Sequence, residues 1–320
     1  MKFAIVGAGA TGGFLGARLA RAGADVTLIA RGPHLEAMRE QGITVEEPDG
    51  TAFVSHPTCT DDLRTVTQAD VVFITLKAHS LPAIAAAIGA ALGESAAVVS
   101  CQNGIPWWYA EGLESVDPGG AVAAAIGRSR VIGCVVYPAT NLKAPGVVEH
   151  VEGDRFSLGE LDGSRSERVQ AIAAALVSAG LRAPIQQDLR PEIWLKLLGN
   201  ATFNPLSALT GATLATMASD PGSRELIRGL MAEVEAVATA LGIRIPVSVE
   251  RRIDGAAKVG EHRTSMLQDL EAGRPLEIDA LTGAVIELAA RENVPVPGLR
   301  VMDSATRLLA KLRKQVRIAG

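Results

Sequence analysis

The chain has 320 residues, 48% apolar and 21% charged, which is enough apolar content for a sizeable core and excludes a disordered chain. A formal net charge of −4 and an aromatic content of 3% argue against a nucleic-acid binder, which needs a basic face and often stacking rings. Cys59, Cys101 and Cys134 form no C-x-x-C pair, and no apolar run approaches the ~20 residues of a membrane span, so a reducing cytoplasm is the expected location.

Phe3–Val6 is a short apolar run, and the glycines between Gly7 and Gly16 break it too early for a signal peptide, so it reads as a first strand. Gly12–Ala22 follows as a helix stopped by Gly23, then a strand at Val26–Ala30 and a helix at Pro33–Gln41 closed by Gly42. Ile43–Val54 reads as a hairpin turning at Asp49-Gly50. Val71–Leu76, Leu81–Leu92 and Ala97–Ser100 make another strand–helix–strand unit, and such alternation implies a parallel sheet covered on both faces. Val122–Gly159 is strand-rich, and a helix at Ser166–Ala179 and a strand at Arg182–Gln187 follow. Beyond Asp188 the strand signals fade. Helices are expected at Pro191–Asn204, Ser223–Leu241, Pro246–Val259, Leu276–Glu292 and Val301–Lys314, which sets the domain boundary near Leu189.

Gly7-Ala8-Gly9-Ala10-Thr11-Gly12 is a G-x-G-x-x-G placed directly after a strand and before a helix, the context that gives this pattern meaning. Its glycines permit a tight turn, close backbone approach to a pyrophosphate, and close helix–strand contact, while the helix N-terminus offers free amides to the phosphates. An NAD site usually carries an acid near the end of the second strand. Here Val26–Ala30 runs into Arg31, which favours pairing with a 2′-phosphate and hence NADP. Lys77, after the strand ending at Leu76, adds charge at another carboxyl strand end; the plain alternative for both is an ordinary surface cation.

Lys196, Asn200 and Asn204 recur at i, i+4 and i+8 on an otherwise apolar helix. A lysine and two amides on a mostly buried helix belong beside a cleft, since unmet hydrogen bonds there cost several kcal/mol. A solvated stripe is the alternative, but it would normally carry Glu, Lys or Arg. Glu277 sits near a helix start, where any carboxylate is favoured, and Ser265 could equally cap a helix, so periodicity alone leaves both open.

Taken together and in order, six segments resemble the ketopantoate reductase (2-dehydropantoate 2-reductase) family. They are Gly7–Gly12, Thr75-Leu76-Lys77, Gln102-Asn103-Gly104, Lys196 with Asn200, Asn204 and Pro205, Ser265-Met266-Leu267-Gln268-Asp269, and Glu277-Ile278-Asp279. The resemblance covers nearly the whole chain. It implies a Rossmann-type, doubly wound NADP-binding domain over 1–189 and an all-α substrate domain over 190–320. It also implies that Lys196 is the general acid and that Glu277 orients substrate and lysine. Asn103, Asn200, Asn204 and Ser265 would hold the substrate's carboxylate and hydroxyl groups or position the nicotinamide, with Asn103 shared by substrate and cofactor. Gly7, Ala8, Gly9, Ala10, Thr11, Gly12, Arg31 and Lys77 would bind NADPH.

Two stretches depart from the family pattern: Thr210–Leu214 lacks an asparagine that some members carry, and Ile105-Pro106-Trp107-Trp108-Tyr109 is bulky. The activity implied is reduction of ketopantoate to pantoate on the way to pantothenate and coenzyme A. Reduction of another branched or bulky 2-oxo acid is the runner-up. A non-catalytic NADPH sensor would need neither the lysine–asparagine line nor Glu277. Arg307, Lys311, Arg313, Lys314 and Arg317 read as a solvated helix end rather than a nucleic-acid or membrane contact. His34, His56, His79, His150 and His262 show no metal-ligand spacing, so no metal is expected. A homodimer stays open.

Overall fold

The computed structural model describes residues 1–319, with side chains described for 1–314. The side chain of Arg317, counted above in the basic helix end, lies outside the described residues. The chain divides into two compact units: Met1–Gln102 with Asp117–Leu189, and Asn103–Val116 with the run from Arg190 onward.

The first unit opens with β1 (Lys2–Val6), α1 (Ala10–Arg21), β2 (Asp25–Ile29) and α2 (Gly32–Gln41). Next come β3 (Ile43–Glu46), β4 (Ala52–Ser55), β5 (Thr58–Thr60), β6 (Val71–Ile74), α3 (Ala85–Ala91) and β7 (Ala97–Ser100). Then follow α4 (Ala121–Ile126), β8 (Val131–Val136), β9 (Ala139–Ala144), β10 (Val147–Glu152), β11 (Phe156–Glu160) and α5 (Glu167–Ser178).

Seven strands form one sheet in the order β11-β8-β7-β6-β1-β2-β5, parallel throughout except for β11, which runs antiparallel to β8. All four residues of β6 and of β7 are buried, as the unbroken apolar runs of a sheet covered on both faces require. The remaining strands make a smaller sheet, β4-β3-β10-β9. Its β3–β4 hairpin turns at Asp49-Gly50, where the Asp49 carboxylate accepts from the Thr51 amide at 2.9 Å.

Helix α1 packs on β2 and also on β3, β4, β9 and β10, so both its faces are covered. Its glycines make that possible. A Cβ on Gly12 would strike the Thr75 hydroxyl and lie 2.6 Å from the Gly7 carbonyl, whereas one on Gly13 would lie 2.8 Å from Ile43 in the smaller sheet.

Three expectations for this unit need correction. Residues 121–126, where strands were expected to begin, form α4. Arg182–Gln187 is not a full strand but makes isolated bridges to Arg155 and Leu158, because Pro184 has no N–H to give a ladder. Residues 103–116, assigned by linear order to 1–189, group with the helices.

The second unit contains α6 (Arg190–Thr210), α7 (Leu214–Ser219), α8 (Pro221–Ala240), α9 (Val249–Val259), α10 (Ser265–Glu271), α11 (Ala284–Arg291) and α12 (Pro297–Ala319). Helix α6 runs through Pro205 rather than ending at Asn204. Every residue from Ala201 to Ala208 is buried, and packing against α8, α10 and α12 offsets the roughly 3 kcal/mol that an internal proline costs. A π turn over Asp279–Gly283 leads into α11. It is braced by α12, whose Arg307 pairs with Asp279 and Asp303 at 2.7 Å each. Among the described residues no helix is long and apolar enough to cross a membrane, and no group of three His, Cys, Asp or Glu is placed to hold a metal.

Candidate active site

The glycine-rich loop hangs from the ends of two strands. The amides of Gly7 and Ala8 donate to the Ile29 carbonyl at 3.1 and 3.0 Å, and the Thr75 hydroxyl donates to the Gly7 carbonyl at 2.8 Å. Gly7 has φ +99°, and a Cβ there would lie 2.9 Å from the Leu76 amide nitrogen, so no other residue suits the turn. Helix α1 then begins without a side-chain cap and without an acid in its first turn. The amides of Ala10, Thr11 and Gly12 therefore carry no intrahelical partner and add to the positive end of the helix dipole. Gly9 is different from its neighbours: a Cβ there would find nothing closer than the Gly7 carbonyl at 4.0 Å. The protein does not need that space for itself. Free amides beside an open glycine fit a dinucleotide pyrophosphate.

Arg31, exposed, occupies the N-cap position of α2, just past the carboxyl end of β2, without a side-chain capping bond. Lys77, half-buried, follows β6 at the same edge of the sheet. One further residue of this region escaped the sequence reading. His34, on the first turn of α2, has Nε2 2.8 Å from the Ala8 carbonyl and accepts the Gly146 amide on Nδ1 at 2.8 Å. Burial holds its imidazole below the usual pKa, the hydrogen bond to Ala8 opposing that shift. No signal in the sequence marks it, since Gly146 lies 112 residues away.

In the second unit, α6 carries Lys196 and Asn200 half-buried and Asn204 buried along one face. The Lys196 ammonium donates to Asn103 Oδ1 at 2.6 Å, and the Asn204 amide reaches Ser265 Oγ at 3.4 Å. Thr264 is the residue that caps α10, by accepting from the Leu267 amide at 3.3 Å. Ser265 is thereby relieved of the capping role and its side chain is exposed.

Asn103 owes its place to the π turn. The Ile105 amide donates to the Ala280 carbonyl at 2.9 Å, and Gly104, at φ +81°, passes so close that a Cβ would strike that carbonyl oxygen. Glu277, half-buried, stands two residues ahead of the same turn. Glu287 closes the far end of the segment by accepting from the Glu114 and Ser115 amides at 3.0 and 2.9 Å. Between these anchors Trp107 and Trp108 are buried, and Trp194 donates its indole N–H to the Tyr109 hydroxyl at 2.7 Å. A lysine held by an amide on a half-buried helix face, with a carboxylate close in the chain to the same anchoring turn, suits proton donation to a carbonyl oxygen.

Comparison with known proteins matches residues 3–163 to the family model described as Ketopantoate reductase PanE/ApbA, and residues 188–310 to its C-terminal counterpart. The chain belongs to the ketopantoate reductase family. A 2-dehydropantoate 2-reductase of Mesorhizobium japonicum is 50% identical over 320 residues, covering 97% of this chain and 98% of that one. The crystal structure of a PanE/ApbA family ketopantoate reductase from Ralstonia eutropha is 30% identical, with a TM-score of 0.87 over 98% of this chain and all of that one. A D-mandelate dehydrogenase solved with NADH and anilino(oxo)acetate shares the fold at 21% identity and a TM-score of 0.86, covering 98% of this chain and all of that one. The α/β parallel sheet followed by a helical domain is the family's architecture, as the resemblance implied.

Proposed function

We propose that this chain reduces 2-dehydropantoate to pantoate with NADPH, in the cytoplasm, as a step toward pantothenate and coenzyme A. The observation that carries the reading is the Lys196 ammonium held 2.6 Å from Asn103 Oδ1 on a polar line within an apolar helix. The 50% identical 2-dehydropantoate 2-reductase supports the choice of substrate.

The α/β unit supplies the cofactor elements. The free amides of Ala10, Thr11 and Gly12 hold the pyrophosphate, while Arg31 pairs with the 2′-phosphate and Lys77 adds charge beside it. Bound reduced nicotinamide supplies the hydride that goes to the C2 carbonyl.

The helical unit supplies the acid. Negative charge develops on the carbonyl oxygen, and Lys196 Nζ stabilises it and delivers a proton, with a contribution of about 10²–10⁴-fold. Asn103 fixes the ammonium, and Glu277 orients lysine and substrate. Asn200, Asn204 and Ser265 hold the substrate's carboxylate and hydroxyl groups.

Steady-state kinetics on a panel of 2-oxo acids, run with NADPH and NADH in parallel on the wild type and on Lys196→Ala, tests the reading. The expected result is preference for 2-dehydropantoate and NADPH, with turnover lost in the variant while NADPH binding persists. Better turnover of another 2-oxo acid overturns the substrate, and undiminished activity in Lys196→Ala removes the lysine from the chemistry.

A further inference from the structure

We infer that His34 is a positioning residue for the cofactor: it locks the Ala8–Gly9 peptide of the dinucleotide loop to the Arg31 end of α2. This rests on the NADPH reading above and assigns a role to a residue outside the glycine motif.

Both backbone groups of Ala8 are held by residues on either side of the short β2–α2 connection, the last of β2 and one on the first turn of α2. Its amide donates to the Ile29 carbonyl at 3.0 Å, and its carbonyl lies 2.8 Å from His34 Nε2. The peptide bond is planar, so fixing that carbonyl also fixes the orientation of the Gly9 amide plane, where the backbone approaches the pyrophosphate. The imidazole is itself held from a third direction. The Gly146 amide, in the turn between β9 and β10, donates to Nδ1 at 2.8 Å, so Nδ1 must accept and Nε2 must carry the proton that goes to Ala8. Both bonds together require the neutral ring, and its partial burial favours that form.

The same helix turn carries Arg31 at its N-cap, with Pro33 in the first turn to stiffen the start. His34 therefore sets the spacing between the pyrophosphate loop and the guanidinium that reads the 2′-phosphate. A histidine that merely filled space would need neither two directed bonds nor contact with the loop carbonyl.

The test compares His34→Phe, which keeps a planar ring but makes neither bond, with His34→Gln, which can both donate and accept. NADPH dissociation constants are measured by fluorescence titration, alongside melting temperature and kcat at saturating NADPH. His34→Phe is expected to raise the NADPH dissociation constant about tenfold, with kcat within about twofold of wild type, and His34→Gln to recover most of the affinity.

Unchanged affinity in His34→Phe overturns the proposal, as does a His34→Gln that folds but binds no better than His34→Phe. Should His34→Phe not fold, nitrogen-detected NMR of the wild-type imidazole still decides: protonation on Nε2 in the free and NADPH-bound protein supports the brace, and protonation on Nδ1 refutes it. A wild type that binds no nicotinamide dinucleotide overturns the cofactor reading itself.

Discussion

Lys196 and Asn103 are 93 residues apart in the chain, yet the ammonium of one donates to the side-chain carbonyl of the other at 2.6 Å. An ammonium only donates, so the contact also settles which end of the Asn103 amide faces the lysine. A hydrogen bond onto an amide oxygen fixes the direction of the ammonium, as a proton donor requires.

Asn103→Ala removes that aim and leaves Lys196 in place. A hydrogen bond to a charged group contributes about 1.5–3 kcal/mol, so kcat is expected to fall roughly 10- to 100-fold. Pre-steady-state measurement of the hydride-transfer step reads this directly. A rate equal to wild type would show that Asn103 does not orient the acid.

Gly104→Ala strikes the scaffold rather than the proposed acid. The residue has φ +81°, and the new methyl would collide with the Ala280 carbonyl oxygen, with the carbonyl carbon at 2.6 Å. Strained backbone and overpacking together cost about 2–4 kcal/mol. Urea unfolding should show a lower midpoint, accompanied by lost activity as Asn103 moves with the loop. A wild-type midpoint would contradict the docking of this loop on the π turn.

Two glycines of the dinucleotide loop should separate folding from binding. Gly12→Ala meets the Thr75 hydroxyl and the Gly7 carbonyl, so it is expected to lower the melting temperature. Gly9→Ala meets no neighbour closer than 4.0 Å, so its melting temperature should fall less than that of Gly12→Ala. If the open side of Gly9 receives the pyrophosphate, that methyl nevertheless raises the NADPH dissociation constant about tenfold or more. Unimpaired binding in Gly9→Ala would move the phosphates elsewhere.

Much of this arrangement was legible in the sequence. The unbroken apolar runs Phe3–Val6 and Val71–Ile74 declared a sheet covered on both faces, and the glycines between β1 and α1 declared a loop that must be thin. The Lys196, Asn200 and Asn204 line was visible because helical spacing is a local property.

What was not legible depends on contacts between distant residues. Asn103–Val116 joins the helical unit through the Ala280 carbonyl, the Glu287 carboxylate and Arg291, which donates to the carbonyls of Glu111 and Gly112. None of these partners lies within 160 residues in the chain, so linear order assigned the segment to the wrong side of the boundary. Pro205 misled in the opposite way: propensity ends a helix there, but burial carries α6 through it.

Arg31→Ala tests cofactor choice. Arg31 is exposed at the end of β2, so its loss should leave the fold intact. The KM for NADPH is expected to rise about tenfold or more, because a guanidinium–phosphate pair is lost, while kcat/KM with NADH stays near wild type. Equal losses with both cofactors would mean that Arg31 does not read the 2′-phosphate.

Glu287 gives the loop that carries Asn103 a dependence on pH. Burial acts to raise its carboxyl pKa, but the amide and hydroxyl of Ser115, the Arg291 guanidinium and the Glu114 amide outweigh it and leave the group below the ordinary carboxylate range. A carboxyl whose pKa is depressed by folding stabilises the native state above its unfolded pKa of about 4.3, and that contribution is lost as pH falls through the folded value. The carboxylate is part-exposed, so solvent screening limits its contribution to about 1 kcal/mol at pH 7. Urea titrations of wild type and Glu287→Gln should therefore differ by about that much at neutral pH and converge below the ordinary carboxylate range. A gap that persists undiminished into acid would mean that the charge on Glu287 does not clamp the segment, and that the shape of the side chain alone does.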